Sequence, residues 1–251
     1  MTNAAERVAS IGAQAVRESG RFVVALAGGS TPRRLYELLA TAQYADRVDW
    51  TRTHVFWGDE RGVPPHDPAS NYRMAREALL DPLSVPEANV HRIRGEDPPA
   101  RAAAAYEREL RVAFATPEGP PTVAPGRRFD LVLLGMGENG HTASLFPGLA
   151  AVRETERWVV AEHVADVAMW RITLTPPVLN AAAHVVFLVS GADKAATLQR
   201  VLEGPVEPDA LPAQAIAPCA GVLTWLVDAA AAAKLTSNRG EAGGRSSSDP
   251  L

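Results

Sequence analysis

The chain has 251 residues, 25 Lys and Arg against 29 Asp and Glu for a net charge of −4, and 47% hydrophobic residues. This is an ordinary globular balance, enough for one large domain or two small ones, and its slight acidity without a Lys/Arg block argues against nucleic acid as the main partner. The lone Cys219 excludes a disulfide framework or a multi-thiolate metal centre, and no apolar run approaches the roughly eighteen residues of a membrane span. Glu6 and Arg7 stand where a signal peptide would run apolar, so a cytoplasmic protein is expected.

Val8, Ile11 and Ala15 keep helical spacing at the N-terminus. Apolar runs follow at residues 22–28, 53–60, 129–137, 157–162, 171–175, 184–191 and 221–228. Their near-continuous apolarity marks strands covered on both faces. Tyr36, Leu39 and Gln43 after the first run, and Ala103, Tyr106, Leu110 and Phe114 after the second, repeat the helical step. The strand–helix–strand order predicts an α/β fold, a mostly parallel central sheet with helices on both faces. The Pro- and Gly-rich stretch 116–128 reads as a long surface loop, because neither half of the chain carries a complete set of elements. Residues 1–233 are therefore expected to form a single domain, and 234–251 a disordered tail with little to bury.

Four places carry chemistry. The first is Gly28-Gly29-Ser30-Thr31-Pro32, between the first strand and a helix. Two glycines allow a sharp turn, Thr31 is the expected N-cap and Pro32 the first helical residue. Free amides there, with the Ser30 and Thr31 hydroxyls and Arg33, make an anion cradle. The second is Gly58 to Pro64, where Asp59, Glu60 and Arg61 leave a strand's carboxyl end. Glu60 reads as a surface ion pair, and Arg61 as a guanidinium able to hold an oxyanion or carboxylate. Ser70 reads as an N-cap, and Asn71 as either a cap partner or a ligand contact.

The third is Leu134 to Gly148. Gly135, Gly137 and Gly140 match a dinucleotide fingerprint, with Glu162 near the expected ribose-binding position. Pro147-Gly148, however, stops any helix begun at His141 after about two turns, too short for that fold. The segment instead offers a glycine-freed turn that presents His141, at the start of a short helix, for proton transfer. The fourth is a pair of cations, Arg171 and Lys194, the latter following Ser190-Gly191. No G-x-S-x-G elbow is present, the six histidines lack metal-ligand spacing, and Cys219 has no basic neighbour and reads as a buried thiol.

In order, ALAGGSTP, FWGDERGVP with SNYRMA, LLGMGENGHTASLFPG, RITLTPPVLNAA and LVSGADKAATL resemble 6-phosphogluconolactonases of the type related to glucosamine-6-phosphate deaminases. The likeness spans roughly residues 5–233. It implies hydrolysis of 6-phospho-D-glucono-1,5-lactone, a phosphosugar lactone of the oxidative pentose phosphate pathway, without metal or organic cofactor. It also implies the three-layer, Rossmann-like α/β/α fold shared with ribose-5-phosphate isomerase. By motif, the catalytic pair falls on His141 and Arg61. Phosphate binding falls by motif on Gly28, Gly29, Ser30, Thr31, Arg171 and Lys194, to which the reading of the residues adds Arg33, with Asp59 and Asn71 in support. Many members have Asp where this chain has Asn139, which can accept a hydrogen bond but cannot balance an imidazolium. A monomer is expected. Two rivals are an isomerase or deaminase, for which Asp59 is the evident carbon-acid base, and a sugar-phosphate sensor. Against these, SLFPG follows the histidine where deaminases carry an acidic residue, and no residues are left over for a DNA-binding helix-turn-helix.

Overall fold

The computed structural model describes residues 1–236 and the backbone of residues 247–250. α1 (Thr2–Ser19) leads into β1 (Phe22–Leu26), α2 (Ser30–Leu39) and β2 (Thr53–Trp57). β3 (Asp59–Arg61) follows after one residue. Next comes α3 (Asn71–Ala75), which passes through a π-helical turn at Arg76–Leu80 into α4 (Asp81–Leu83). α5 (Pro99–Ala113) precedes β4 (Leu131–Leu134). β5 (Val159–Val164) and β6 (Met169–Leu174) form a hairpin, followed by α6 (Pro176–Asn180) and β7 (His184–Val189). α7 (Ala195–Glu203), β8 (Val222–Val227) and β9 (Ser247–Pro250) complete the order.

All seven apolar runs become strands, but they divide between two sheets. The larger runs in the order β2-β1-β4-β7-β8-β9 with every pair parallel, flanked by helices in the expected three-layer arrangement. Phe22 to Leu26, Leu131 to Leu134 and Val185 to Val189 are buried throughout, as strands covered on both faces require. From β1 the chain goes to β2 on one side and to β4 on the other. The crevice between the carboxyl ends of β1 and β4 is thus the topological switch point, where open α/β sheets bind ligands.

A smaller sheet, not read from the sequence, accompanies the expected parallel layer. It is antiparallel in the order β3-β6-β5, with Arg61 directly opposite Arg171 and Arg171 opposite Glu162. Only eight residues separate the 157–162 and 171–175 runs, too few for a parallel crossover. They are joined by a tight turn with Ala168 left-handed at φ 46°. Gly58 is the joint between the sheets: its N–H donates to Leu26 O of β1 at 2.9 Å, and its C=O accepts from Leu174 N of β6 at 2.8 Å.

Two buried tyrosines finish the strand ends beneath the crevice. Tyr36 Oη donates to Ala27 O (2.8 Å) and accepts from Ala27 N (2.9 Å), while Tyr106 Oη does the same for Trp57 at 3.0 and 2.8 Å. Each hydroxyl satisfies a backbone pair where the strand stops, so the following residues are free to turn.

Glu60 is not the expected surface ion pair. It is 2% exposed and accepts from Arg61 N (2.8 Å), Asn71 N (2.7 Å), Tyr72 N (2.8 Å) and Ser70 Oγ (2.9 Å). Burial raises its carboxyl above the usual range, and the backbone N–H groups draw it partly back. Ser70 caps α3 as expected, accepting from Arg73 N at 3.1 Å. Several smaller expectations also change. α2 ends at Leu39, leaving Gln43 beyond it and exposed, and Cys219 is exposed rather than buried. The tail expected to lack structure from residue 234 is ordered through a 3-10 turn at Ala231–Lys234 and through Leu235, which packs on the core. It is a strand again at Ser247–Pro250, and residues 237–246 and 251 lie outside the described residues.

Glu60→Ala leaves three N–H groups and a hydroxyl without their acceptor, at about 1–3 kcal/mol each for buried groups. We expect urea denaturation to show a loss of about 3 kcal/mol or more; a loss under about 1 kcal/mol would contradict the clamp.

Candidate active site

A cleft of about 340 Å³ opens at the switch point. Its walls come from the turn after β1 (Ala27 to Gly29), from β3 (Asp59, Arg61) with Asn71, from β4 and its turn (Leu133 to Gly137), and from His141, Phe146 and Arg171. Val167, on the β5–β6 turn, closes one side.

The β1 turn has no room for larger residues. A Cβ on Gly28 would stand 1.8 Å from Asn71 Oδ1. Gly29, at φ 102°, is the N-cap of α2, so Thr31 is not the cap and Pro32 is not the first helical residue. The reason is that the left-handed glycine starts the helix earlier, at Ser30. Gly28 and Gly29 line the cleft, whereas Ser30, Thr31 and Arg33 do not. Arg33 instead pairs with Glu37 at 2.9 Å on the exposed side of α2.

His141 follows β4 in a turn closed by Gly137 N to His141 O (2.9 Å) and Gly140 N to Gly137 O (3.0 Å). No helix begins there. Thr142 Oγ1 donates to Gly135 O at 2.8 Å, and an isolated bridge joins Thr142 to Leu145. The imidazole lies over Gly137, where a Cβ would come within 2.1 Å of it, and stacks on Phe146 with centroids 4.2 Å apart.

Asn139 Oδ1 accepts from His141 N at 3.2 Å and lies 2.6 Å from His141 Nδ1. Because the backbone N–H can only donate, the atom facing both is the amide oxygen. Nδ1 therefore carries the ring proton and Nε2 keeps its lone pair. Burial lowers the imidazole to about 4; Asp59 opposes that shift, and Arg171, Lys194 and Arg61 add to it.

Asp59 is buried and held from two sides. Its Oδ2 accepts from Ser144 Oγ at 2.6 Å, and its Oδ1 from Asn71 Nδ2 at 3.2 Å. Asn71 is thus a partner of Asp59 as well as a cleft residue. Two residues on, Arg61 and Arg171 face each other across β3 and β6. Arg61 donates through Nη1 to Ala69 O, yet the Nε groups of both arginines are buried with no hydrogen-bond partner. Burial disfavours the charge on Arg171, the Asp59 carboxylate supports it, and the neighbouring Arg61 opposes it. Two like charges with unused donors on a cleft wall suit an anion.

Lys194 stands at the rim rather than in the wall. Its turn is shaped by Gly191 at φ 107° and fixed by Asp228, which accepts from Ser190 Oγ (2.6 Å) and Gly191 N (3.2 Å). The structure therefore gathers His141, Asn139, Arg61, Asp59, Asn71, Arg171, Gly28 and Gly29 in one place, with Lys194 at its edge. Sequence reading missed Ser144, Phe146, Val167 and Asp228. Phe146, five residues from His141, was findable by proximity in the chain; Ser144 meets Asp59 across 85 positions and was not.

The family model described as glucosamine-6-phosphate isomerases/6-phosphogluconolactonase matches residues 1–225. A 6-phosphogluconolactonase of Nostoc sp. is 43% identical over 88% of both chains, and that of Haemophilus influenzae 38% identical over 83% of this chain and 85% of its own. The solved 6-phosphogluconolactonase of Trypanosoma cruzi superimposes with a TM-score of 0.80 at 32% identity, covering 94% of this chain and 92% of that one. The chain therefore belongs to the glucosamine-6-phosphate isomerase/6-phosphogluconolactonase family.

Proposed function

We propose that the chain hydrolyses 6-phospho-D-glucono-1,5-lactone to 6-phospho-D-gluconate, with His141 as general base. The observation that carries this reading is the His141 tautomer: Nδ1–H engaged by Asn139, Nε2 free, beside two guanidiniums with unused donors. A lactone is an activated ester, so water suffices as nucleophile once a base takes its proton. Nε2 accepts that proton as the water oxygen bonds to C1. The C1 carbonyl becomes an oxyanion, which Arg61 stabilises. When the ring C–O bond breaks, the imidazolium returns the proton to the departing ring oxygen. The carboxylic acid so formed loses its own proton to solvent. General base catalysis of this kind contributes about 10²–10⁴-fold.

Phosphate, remote from C1, binds Arg171, Lys194 and the Gly28–Gly29 backbone, and that binding energy positions the carbonyl. It also adjusts the base. Burial is the main cause of the lowered His141 value in the free protein and three cations add to it, so a phosphate dianion on Arg171 and Lys194 offsets part of that addition. The isomerase or deaminase alternative needs a carboxylate free to take a proton from carbon. Both oxygens of Asp59 already accept hydrogen bonds, which favours lactone hydrolysis.

Coupling the product to NADP-dependent 6-phosphogluconate dehydrogenase, corrected for spontaneous opening, tests this. We expect turnover by the native chain, a fall of at least about 100-fold in kcat for His141→Ala, and a raised KM with smaller kcat changes for Lys194→Ala and Arg171→Ala. Near-normal kcat in His141→Ala would remove the base. The pH profile tests the electrostatics. Because the neutral imidazole is the active form, kcat falls as pH drops through the His141 pKa in the complex. Asn139→Asp places a carboxylate against Nδ1–H and should move that acid limb up by about one unit or more; the substrate's own phosphate ionisation is common to both variants. An unmoved or lowered limb would contradict the assignment.

A further inference from the structure

The Lys194 ammonium is already occupied. Its Nζ lies 2.7 Å from Asp193 Oδ2 and 3.4 Å from Glu138 Oε1, and its side chain is only 20% exposed. The two carboxylates differ in kind. Asp193 is the preceding residue in the same turn, and the ammonium holds its carboxyl below the usual range. Glu138 comes from another part of the chain, the turn between β4 and His141. Its backbone is fixed, since its C=O accepts from Thr197 Oγ1 and the nearby Gly140 C=O from Ala213 N. Its side chain is not: 71% of it is exposed, and the long contact to Lys194 is its one ion pair among the described residues. Moving the carboxylate into solvent disturbs only that long contact and a side-chain hydrogen bond with Asp193.

We propose that Glu138 is a placeholder for the substrate's phosphate, a displaceable carboxylate that engages Lys194 in the empty site and moderates phosphate binding. This rests on Lys194 being a phosphate contact. A dianion outcompetes a single exposed carboxylate for an ammonium, whereas a singly charged or neutral sugar gains too little there to evict it. Glu138 thereby weakens all phosphate binding somewhat, by the cost of evicting it from Lys194. A bracket that merely aimed Lys194 would act with the opposite sign, which makes the two roles separable.

The test compares the native chain with Glu138→Gln, Lys194→Ala and the double variant. It reads the KM for the phosphosugar lactone and, independently of turnover, the calorimetric Kd for inorganic phosphate. An exposed ion pair is worth about 0.2–1 kcal/mol, so Glu138→Gln should lower KM and the phosphate Kd by about 1.4- to 5-fold. The gain should shrink at high salt and vanish in the Lys194→Ala background. A rise in either constant, no change, or an equal gain without Lys194 would overturn the proposal. Loss of the underlying reading looks different: Lys194→Ala alone would leave both constants unmoved, or the native chain would not hydrolyse the lactone while the phosphate measurements still report on Glu138.

Discussion

The contact between Asn139 Oδ1 and His141 Nδ1 at 2.6 Å is what the chemistry of this fold depends on. An imidazole has two nitrogens and one proton in its neutral form, and a base must present the bare one to its substrate. Asn139, an acceptor at that atom, holds the proton on the far side. Gly137 admits the ring, since any side chain there would overlap it, and Phe146 supports its face. An amide does this without adding negative charge. The cost is basicity, because burial and three cations act on an imidazole that no carboxylate touches directly.

The second requirement is a wall of positive charge at the right distance from that ring, and the parallel sheet alone does not supply it. Gly58 does, by carrying the chain from β2 into β3 within one residue while bonding to β1 and β6. The resulting antiparallel strip sets Arg61 across from Arg171 and Asp59 across from Thr173. Side chains directly opposite in an antiparallel pair share a face, so two guanidiniums and a carboxylate point the same way. Placing like charges side by side is unfavourable in isolation. Asp59, fixed by Ser144 and Asn71, offsets part of it, and the buried Glu60 clamps the neighbouring helix start so that the strip keeps its register.

Much of this was legible in the sequence, for stated physical reasons. Strands buried on both faces announce themselves as unbroken apolar runs, and glycines after them announce turns at carboxyl ends. His141 stood out because Gly137 and Gly140 free the turn just before it. What stayed hidden was tertiary. The eight-residue gap between the 157–162 and 171–175 runs is too short for a parallel crossover, an unused signal of a hairpin, and the pairing of that hairpin with Asp59–Arg61 depends on Gly58 bonding to both sheets. Glu60 looked like a surface charge because nothing local shows that three backbone N–H groups converge on it. Thr31 fitted the capping preference, yet Gly29 took that position by adopting a backbone geometry other residues avoid. Ser30, Thr31 and Arg33 were assigned to the ligand by their neighbourhood in the chain, while the helix carries them off the cleft wall.

Nitrogen-15 NMR of the His141 imidazole in the free protein tests the central claim most directly, since it reports each ring nitrogen separately. The account predicts a neutral ring at pH 7 with the proton on Nδ1 and Nε2 bare, and a titration midpoint lowered to about 4. A ring protonated on Nε2 at neutral pH, or one titrating at or above the ordinary histidine value, would contradict it.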